Sequence, residues 1–351
     1  MSLKNNFQIE YDKNLLKILK EINSSICFST YQAGRVMVIS TDENKLIQIP
    51  FPFRKPMGIA IQESKLAIAT IDSIEFLSNK EEIASTVNNN INNFDTFYLH
   101  RASYNTNSLD IHDIHFGNGQ LWGANTKFSC LCVFDINYNF VPKWKPNFIS
   151  DLVPEDRCHL NGFAMQDGMP KYATALSSTN FKEGWREDIM KTGVIIEIPS
   201  SEILIDGLAM PHSPLIINDD LYFLESGNGR LMKFNKKTNN LEVIEEFNVF
   251  TRGMSHMNGY LFIGKSKIRQ SSKTFNLLGV KDNSKNAGII IYNLIKKKIE
   301  GQLDYLDTVE EIFDIQIIPG YTKPAIINKK DDLSKKIITF QGNIFWKKDA
   351  I

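Results

Sequence analysis

Six segments of the chain share one form: a short polar lead, a small or acidic residue, then an apolar run. They are Pro56-Met57-Gly58-Ile59-Ala60, Ile111-His112-Asp113-Ile114-His115, the stretch Asp156-Arg157-Cys158-His159-Leu160-Asn161-Gly162-Phe163, Pro211-His212-Ser213-Pro214-Leu215, Thr251-Arg252-Gly253-Met254-Ser255 and Ile312-Phe313-Asp314-Ile315-Gln316. Aligned on Gly58, Asp113, Gly162, Ser213, Gly253 and Asp314, they recur at intervals of 55, 49, 51, 40 and 61 residues. A repeat of that period is one supersecondary unit that cannot bury its apolar face alone, so neighbouring units must stack. Within 351 residues it favours one closed array over two ordinary domains.

Each segment but the last is followed by two further strand-like runs, such as Leu121-Trp122-Gly123-Ala124-Asn125 and then Ser129 to Phe134. The sixth, ending near Ile318, is followed by Pro319-Gly320 and a tail read as irregular, whereas Ile26 to Thr30, Arg35 to Ile39 and Lys45 to Ile49 stand at the N-terminus without an inner strand. Six inner strands and these three orphans predict an all-β fold, a six-bladed β-propeller whose ring is closed by the N-terminal strands. Closure has a physical motive, since it removes exposed sheet edges. The domain reading is one propeller over 25–320, preceded by an extension over 1–24 and followed by a tail over 321–351. In the extension, Leu15, Leu16, Ile18, Leu19 and Ile22 predict a short amphipathic helix over residues 10–22. A larger propeller would need a blade within 79–108, but the run Asn88-Asn89-Asn90-Ile91-Asn92-Asn93 has no strand alternation and reads as loop.

Forty basic residues balance forty acidic ones, so no overall field draws the chain to nucleic acid or an anionic membrane. No apolar run reaches the length of a membrane span or a signal peptide, which predicts a cytoplasmic protein. Cys27, Cys130, Cys132 and Cys158 lack the density and spacing of a disulfide framework, and Cys130 and Cys132 read as core thiols on one strand face.

Strand direction alternates within a blade, so the inner strands begin on the face where the second-to-third-strand turns also lie. Two of those turns are long, 177–192 and 266–287, and long loops on a rigid scaffold commonly carry function. One position before the alignment point stand Met57, His112, Asn161, His212, Arg252 and Phe313; three before it stand Lys55, Asp110, His159, Met210, Phe250 and Glu311. Five of six histidines fall in or beside these segments. Imidazoles converging on the axis suit a divalent metal, so His112, His159 and His212 are the candidate ligands, with Asp110 or Glu311 as carboxylate ligand or general base. Structural bonding to a neighbouring blade is the competing reading for each. His115 and His256 lie deeper and read as packing or hydrogen-bonding residues. Arg252 is a candidate clamp for a carboxylate or phosphate, or else the partner of Asp314 or Glu311 in an ion pair. Asn161, Trp185 and Arg186 are candidate ligand contacts, and Trp185 and Arg186 equally suit anchoring of their loop.

The runs Ser29-Thr30-Tyr31-Gln32-Ala33-Gly34, Asp110-Ile111-His112-Asp113, Asn125-Thr126-Lys127-Phe128-Ser129-Cys130-Leu131, Pro154 to Gly162, Gly184-Trp185-Arg186-Glu187, Met210-Pro211-His212-Ser213-Pro214, Thr251-Arg252-Gly253 and Glu311-Ile312-Phe313-Asp314 resemble a bacterial family of conserved hypothetical proteins. It is known as a propeller-like domain of unknown function, and the likeness runs from about Ser29 to Gly320. The resemblance implies that His112, His159, Asn161, His212 and Arg252 occupy motif positions, and its third run adds Asn125 as a candidate ligand contact. It carries no activity. Three classes follow: a metal-dependent lyase, hydrolase, isomerase or oxygenase acting on a small polar or anionic metabolite, sugar or peptide; a non-catalytic ligand-binding or protein-interaction propeller; and a metal-free acid–base enzyme.

Overall fold

The computed structural model describes residues 7–87, 93–267, 278, 280 and 286–347. The asparagine run, apart from Asn93, and most of the 266–287 insertion lie outside the described residues.

Middle strands such as Cys130–Asp135, Gly193–Glu197 and Gly288–Asn293 are almost uniformly apolar and buried, because both of their faces pack on neighbouring sheets. Outer strands such as Tyr138–Trp144 and Asn240–Glu246 hold no buried residue, each being exposed or half-buried throughout. This gradient from buried to exposed orients six sheets radially around an axis, as a six-bladed β-propeller. Blade 1 runs through Ile59–Gln62, Lys65–Ala69, Ser73–Asn79 and Thr96–Asn105, and blades 2 to 5 have inner strands Ile111–Gly117, Leu160–Gln166, Pro211–Ile217 and Phe250–Met257. In blade 6 the inner strand is Asp314–Pro319 and its three partners are Ser24–Thr30, Arg35–Asp42 and Lys45–Pro52.

The apolar core is not central. It is divided into layers between blades: Trp122, Ala124, Leu131 and Val133 of blade 2 meet Leu160, Phe163, Ala173 and Val194 of blade 3, and comparable clusters fill the other junctions. A fully buried Phe163 or Phe223 contributes about 1.5–3 kcal/mol relative to exposure. The axis is left to the first residues of the inner strands, where an alternation operates. Blades 2, 4 and 6 carry Asp113, Ser213 and Asp314 at the alignment position, and each side chain accepts a backbone N–H of the next blade: Phe163 at 3.0 Å, Gly253 at 2.9 Å and Ile59 at 2.7 Å. Blades 1, 3 and 5 carry Gly58, Gly162 and Gly253, where a Cβ would stand within 2.9 Å of Asp113, Pro214 and Asp314 respectively. Side-chain clasps and glycine close approaches thus alternate around all six junctions.

The ends of the chain differ from expectation. The helix begins only at Lys13 and runs to Glu21, burying Leu15, Ile18 and Leu19 against blades 5 and 6. Glu10 and Tyr11 belong instead to Ile9–Tyr11, a fifth strand pairing with Lys298–Tyr305 of blade 5, and the Asp12 amide continues that pairing by donating to Gln302 O. The tail is not irregular throughout. Pro324–Ile327 pairs in parallel with Thr96–Leu99 at the outer edge of blade 1, and Ile337–Phe340 and Asn343–Trp346 form a hairpin. Asp95 fixes the entry to that strand by accepting the Thr322 and Lys323 amides at 2.6 and 2.9 Å.

Candidate active site

Four of the six positions three residues before the alignment point, Lys55, Asp110, His159 and Met210, have left-handed backbone, with φ between 47° and 57°. In blades 2, 3 and 4 this kink turns the chain into the inner strand and aims the residue two places later, His112, Asn161 and His212, at the axis. A cavity of about 140 Å³ opens there, walled at that later position by His112, Asn161, His212, Arg252 and Phe313, and one layer deeper by Asp113, Ser213, Asp314 and His115.

His112 and His212 are anchored alike. Nδ1 of His112 faces the Asp110 carbonyl at 3.1 Å, and Nδ1 of His212 faces the Met210 carbonyl at 2.9 Å. A carbonyl can only accept, so Nδ1 carries the proton and the neutral ring keeps a bare Nε2. No partner from the described residues meets either Nε2. Burial, opposed by the Asp110 charge, holds His112 down to about 4, and burial with the Arg252 charge holds His212 well below the ordinary histidine value. Both rings are therefore neutral at pH 7.

His159 belongs to a different arrangement. Its Nδ1 donates to Asp156 at 2.9 Å, the indole Nε1–H of Trp185 donates to the same carboxylate at 3.0 Å, and the His159 and Trp185 rings lie 4.3 Å apart. Burial opposes the Asp156 charge, but His159 and Trp185 outweigh it and hold the carboxyl below its usual range. His159 does not wall the cavity; it backs His112 edge to face at 4.8 Å. Trp185 is thereby both loop anchor and support for the histidine layer. Arg186 stacks on the outer face of Trp185 at 4.1 Å and pairs with Glu183 at 2.9 Å. The 177–192 insertion and the described part of 266–287 lie on the same face as the histidines, since Trp185, Ile189, Met210, Phe250 and Val280 form one cluster.

Arg252 lies flat against Phe313, Cζ 3.4 Å from the ring centroid, with Glu311 at 3.7 Å. The ion pair and the cavity-facing position coexist. Asp110 is half-exposed and stays near His112 Nδ1, at 3.5 Å. Asn161 is engaged on both ends, donating to the Pro211 carbonyl at 3.1 Å and accepting from Thr174 at 2.6 Å, so it ties blade 3 to blade 4 while walling the cavity. Asn125 is fully buried in the turn of blade 2, accepting the Phe128 amide, and is not a wall of the cavity. His115 bonds to Asp113 and His256 accepts the Gly259 amide in a turn, the hydrogen-bonding roles their depth suggested. The four cysteines are free and buried. Among the described residues no group of three or more His, Cys, Asp or Glu side chains is gathered as a metal ion requires, and no helix is long and apolar enough to cross a membrane.

A family profile described as Domain of unknown function (DUF4915) matches residues 13–327. The chain belongs to the DUF4915 family. Curated proteins give no match to it. Among solved structures, a chain in the crystal structure of a nidogen/laminin complex is similar at a TM-score of 0.53 and 10% identity, over 85% of this chain and 99% of that one. A protein of unknown function from Bacteroides caccae is similar at 0.50 and 10%, over 84% and 98%. At such identity the likeness is one of fold.

Three parts of the DUF4915 site escaped the reading of the sequence. Asp113 served there only as a register mark, and Asp314 as a register mark and an alternative ion-pair partner of Arg252, a pairing that Glu311 takes instead, although acids recurring at the alignment position in blades 2 and 6 were a visible signal. Asp156 stood three residues before His159 in the stretch most closely read, yet its role depends on the Trp185 indole, 29 residues away. Phe313 was named at its position without a role, and it supplies the face on which Arg252 rests.

Proposed function

We propose that the axial cavity takes a small anionic metabolite and acts on it by acid–base chemistry. The observation that carries this reading is the set of walls: neutral His112 and His212, cationic Arg252 and a carboxyl displaced from its usual range, all facing one concave space. Displaced titrations clustered in a cavity are a hallmark of catalytic sites. Arg252 supplies the counter-charge, with its plane already fixed by Phe313. The bare Nε2 atoms of His112 and His212 accept hydrogen bonds from ligand hydroxyl groups, and the volume, room for about five waters, suits a small metabolite over a polymer. Thermal-shift titration of the full chain with a panel of small carboxylates, hydroxy acids and sugar acids tests it. At least one should raise the melting temperature of the wild type and not of Arg252→Lys or His212→Gln. A panel without effect, or a shift that survives both substitutions, contradicts the reading.

A metal-dependent enzyme is the second reading, favoured by the shared anchoring of the rings, because ligating histidines usually hold their other nitrogen to a carbonyl or carboxylate. His112, His159 and His212 would hold the ion, which would supply Lewis-acid polarisation of a ligand oxygen. Against it stands the absence of a gathered donor set among the described residues. Elemental analysis of protein purified without a metal-binding tag separates the two, with stoichiometric metal lost in His112→Gln supporting the second.

A further inference from the structure

Beneath the mouth, two aspartates stand on either side of the glycine that opens blade 1. A Cβ on Gly58 would stand 2.9 Å from the Cα of Asp113, and on the other side of the same segment the Ile59 amide donates to Asp314 Oδ2 at 2.7 Å. Asp113 from blade 2 and Asp314 from blade 6 thus flank the start of blade 1, and both wall the cavity. Their partners differ. Asp113 has the His115 imidazole at 3.2 Å together with the Phe163 amide. Asp314 is met, among the described residues, by the Ile59 and Ile315 amides alone, each at 2.7 Å.

Among the other side chains around Asp314 only the His115 imidazole opposes its protonation, and that ring is hydrogen-bonded to Asp113. Cys27 on the second strand of its own blade is a buried thiol kept protonated, Ser29 takes the Asp314 amide, Gln316 and Ser255 are uncharged, and Arg252 across the cavity is matched by Glu311. Two acids that wall one cavity and share one imidazole cannot both stay ionised at low cost, and that imidazole is hydrogen-bonded to Asp113. We propose that Asp314 is the proton donor of the axial cavity, with Asp113 and His115 as its positioning residues; this rests on the acid–base reading of the site. The electrostatics agree: burial, then the Asp113 charge, push Asp314 up to about 7 against the lowering by the two amides and His115, while burial at His115 is outweighed chiefly by Asp113, with Asp314 adding to it, and that ring is drawn upward. In the step itself the O–H bond of the Asp314 carboxyl breaks and one forms on a ligand oxygen, either a hydroxyl that leaves as water or a carbonyl becoming an enol, while the bare Nε2 of His112 or His212 takes the proton from the neighbouring ligand carbon and that C–H electron pair becomes the new C=C bond. The carboxylate left behind is held by the two amides and recovers a proton from cavity water. The ligand class is therefore an anion bearing an oxygen that gains a proton as it reacts, as a hydroxy or keto acid does.

Carboxyl-carbon NMR titration of the ligand-free full chain, labelled at aspartate, tests the assignment. One resonance should titrate near neutrality, vanish in Asp314→Asn and move down toward the usual carboxylate range in Asp113→Asn, where the repelling charge is gone. Asp113→Asn keeps the test available should Asp314→Asn fold poorly. If every aspartate titrates near about 4, or the neutral transition survives in Asp314→Asn, the proposal is overturned. No ligand enters the measurement, so this outcome is independent of the thermal-shift panel: anion binding without a neutral-range carboxyl would remove the donor and leave the site.

Discussion

Three glycines separate backbone strain from blade-to-blade crowding. At Gly119 φ is +76° and an added Cβ meets nothing within 4 Å, so Gly119→Ala carries only the left-handed backbone cost, about 1–2 kcal/mol. Gly58 has no such φ, but its Cβ would stand 2.9 Å from Asp113 Cα and 3.0 Å from Ile114 N. Those are backbone atoms of the next blade and cannot swing aside, so Gly58→Ala should cost the about 1–3 kcal/mol of an overpacked core. Gly253 combines both, with φ +79° and 2.9 Å to Asp314 Cα, and Gly253→Ala should lose about 2–5 kcal/mol. Urea unfolding of the three variants, compared at unchanged slope, measures the ranking. The axis is built on glycine close approaches alternating with side-chain clasps only if Gly253→Ala costs clearly more than Gly119→Ala. Equal losses, or a Gly58→Ala variant as stable as wild type, would refute it.

Deleting residues 1–42 removes Ser24–Thr30 and Arg35–Asp42, two of the three strands that pair outward from the inner strand of blade 6, together with the helix that buries Leu15 and Leu19, and should abolish cooperative unfolding; a truncated chain with an unchanged melting transition contradicts this. Trp185→Phe keeps an aromatic ring on His159 but loses the indole donor to Asp156, a hydrogen bond to a charged group, and should cost about 1.5–3 kcal/mol in urea unfolding; no loss means that Asp156 is satisfied without it. His112 is neutral in the folded chain down to about 4 and takes a proton near 6.5 when unfolded, and His212 is displaced the same way. Stability from these rings is full above pH 6.5 and lost as pH falls toward 4, so the wild-type stability curve should be steeper across that window than that of His212→Gln.

Repetition made the ring legible. The alignment register that placed His112, Asn161, His212, Arg252 and Phe313 at one level is the level at which all five wall the cavity, and a recurring kink at Asp110, His159 and Met210 sets three of them there. Where a unit departs from the repeat, the sequence was silent. Ile9–Tyr11 and Pro324–Ile327 are strands only because the edges of blades 5 and 1 offer unpaired backbone groups, and neither run is long enough to show a period of its own. The pairing of His159 with Asp156 depends on an indole delivered by a loop, and the meeting of Asp113 with Asp314 joins residues 201 positions apart. Residue type alone could name the histidines as candidates, but not that His159 would stand behind His112 instead of beside it.

The central claim is that His112 and His212 present bare Nε2 atoms to the axial cavity, on which hydrogen bonding to a ligand and ligation of a metal would equally depend. Long-range ¹⁵N–¹H correlation spectra of the imidazole rings in the full ligand-free chain read this directly. Two rings protonated on Nδ1 and bare on Nε2 at pH 7, retaining that form below pH 6 and reassigned by their loss in His112→Gln and His212→Gln, are the predicted result. Rings protonated on Nε2, or both charging near the ordinary histidine value of about 6.5, would contradict it.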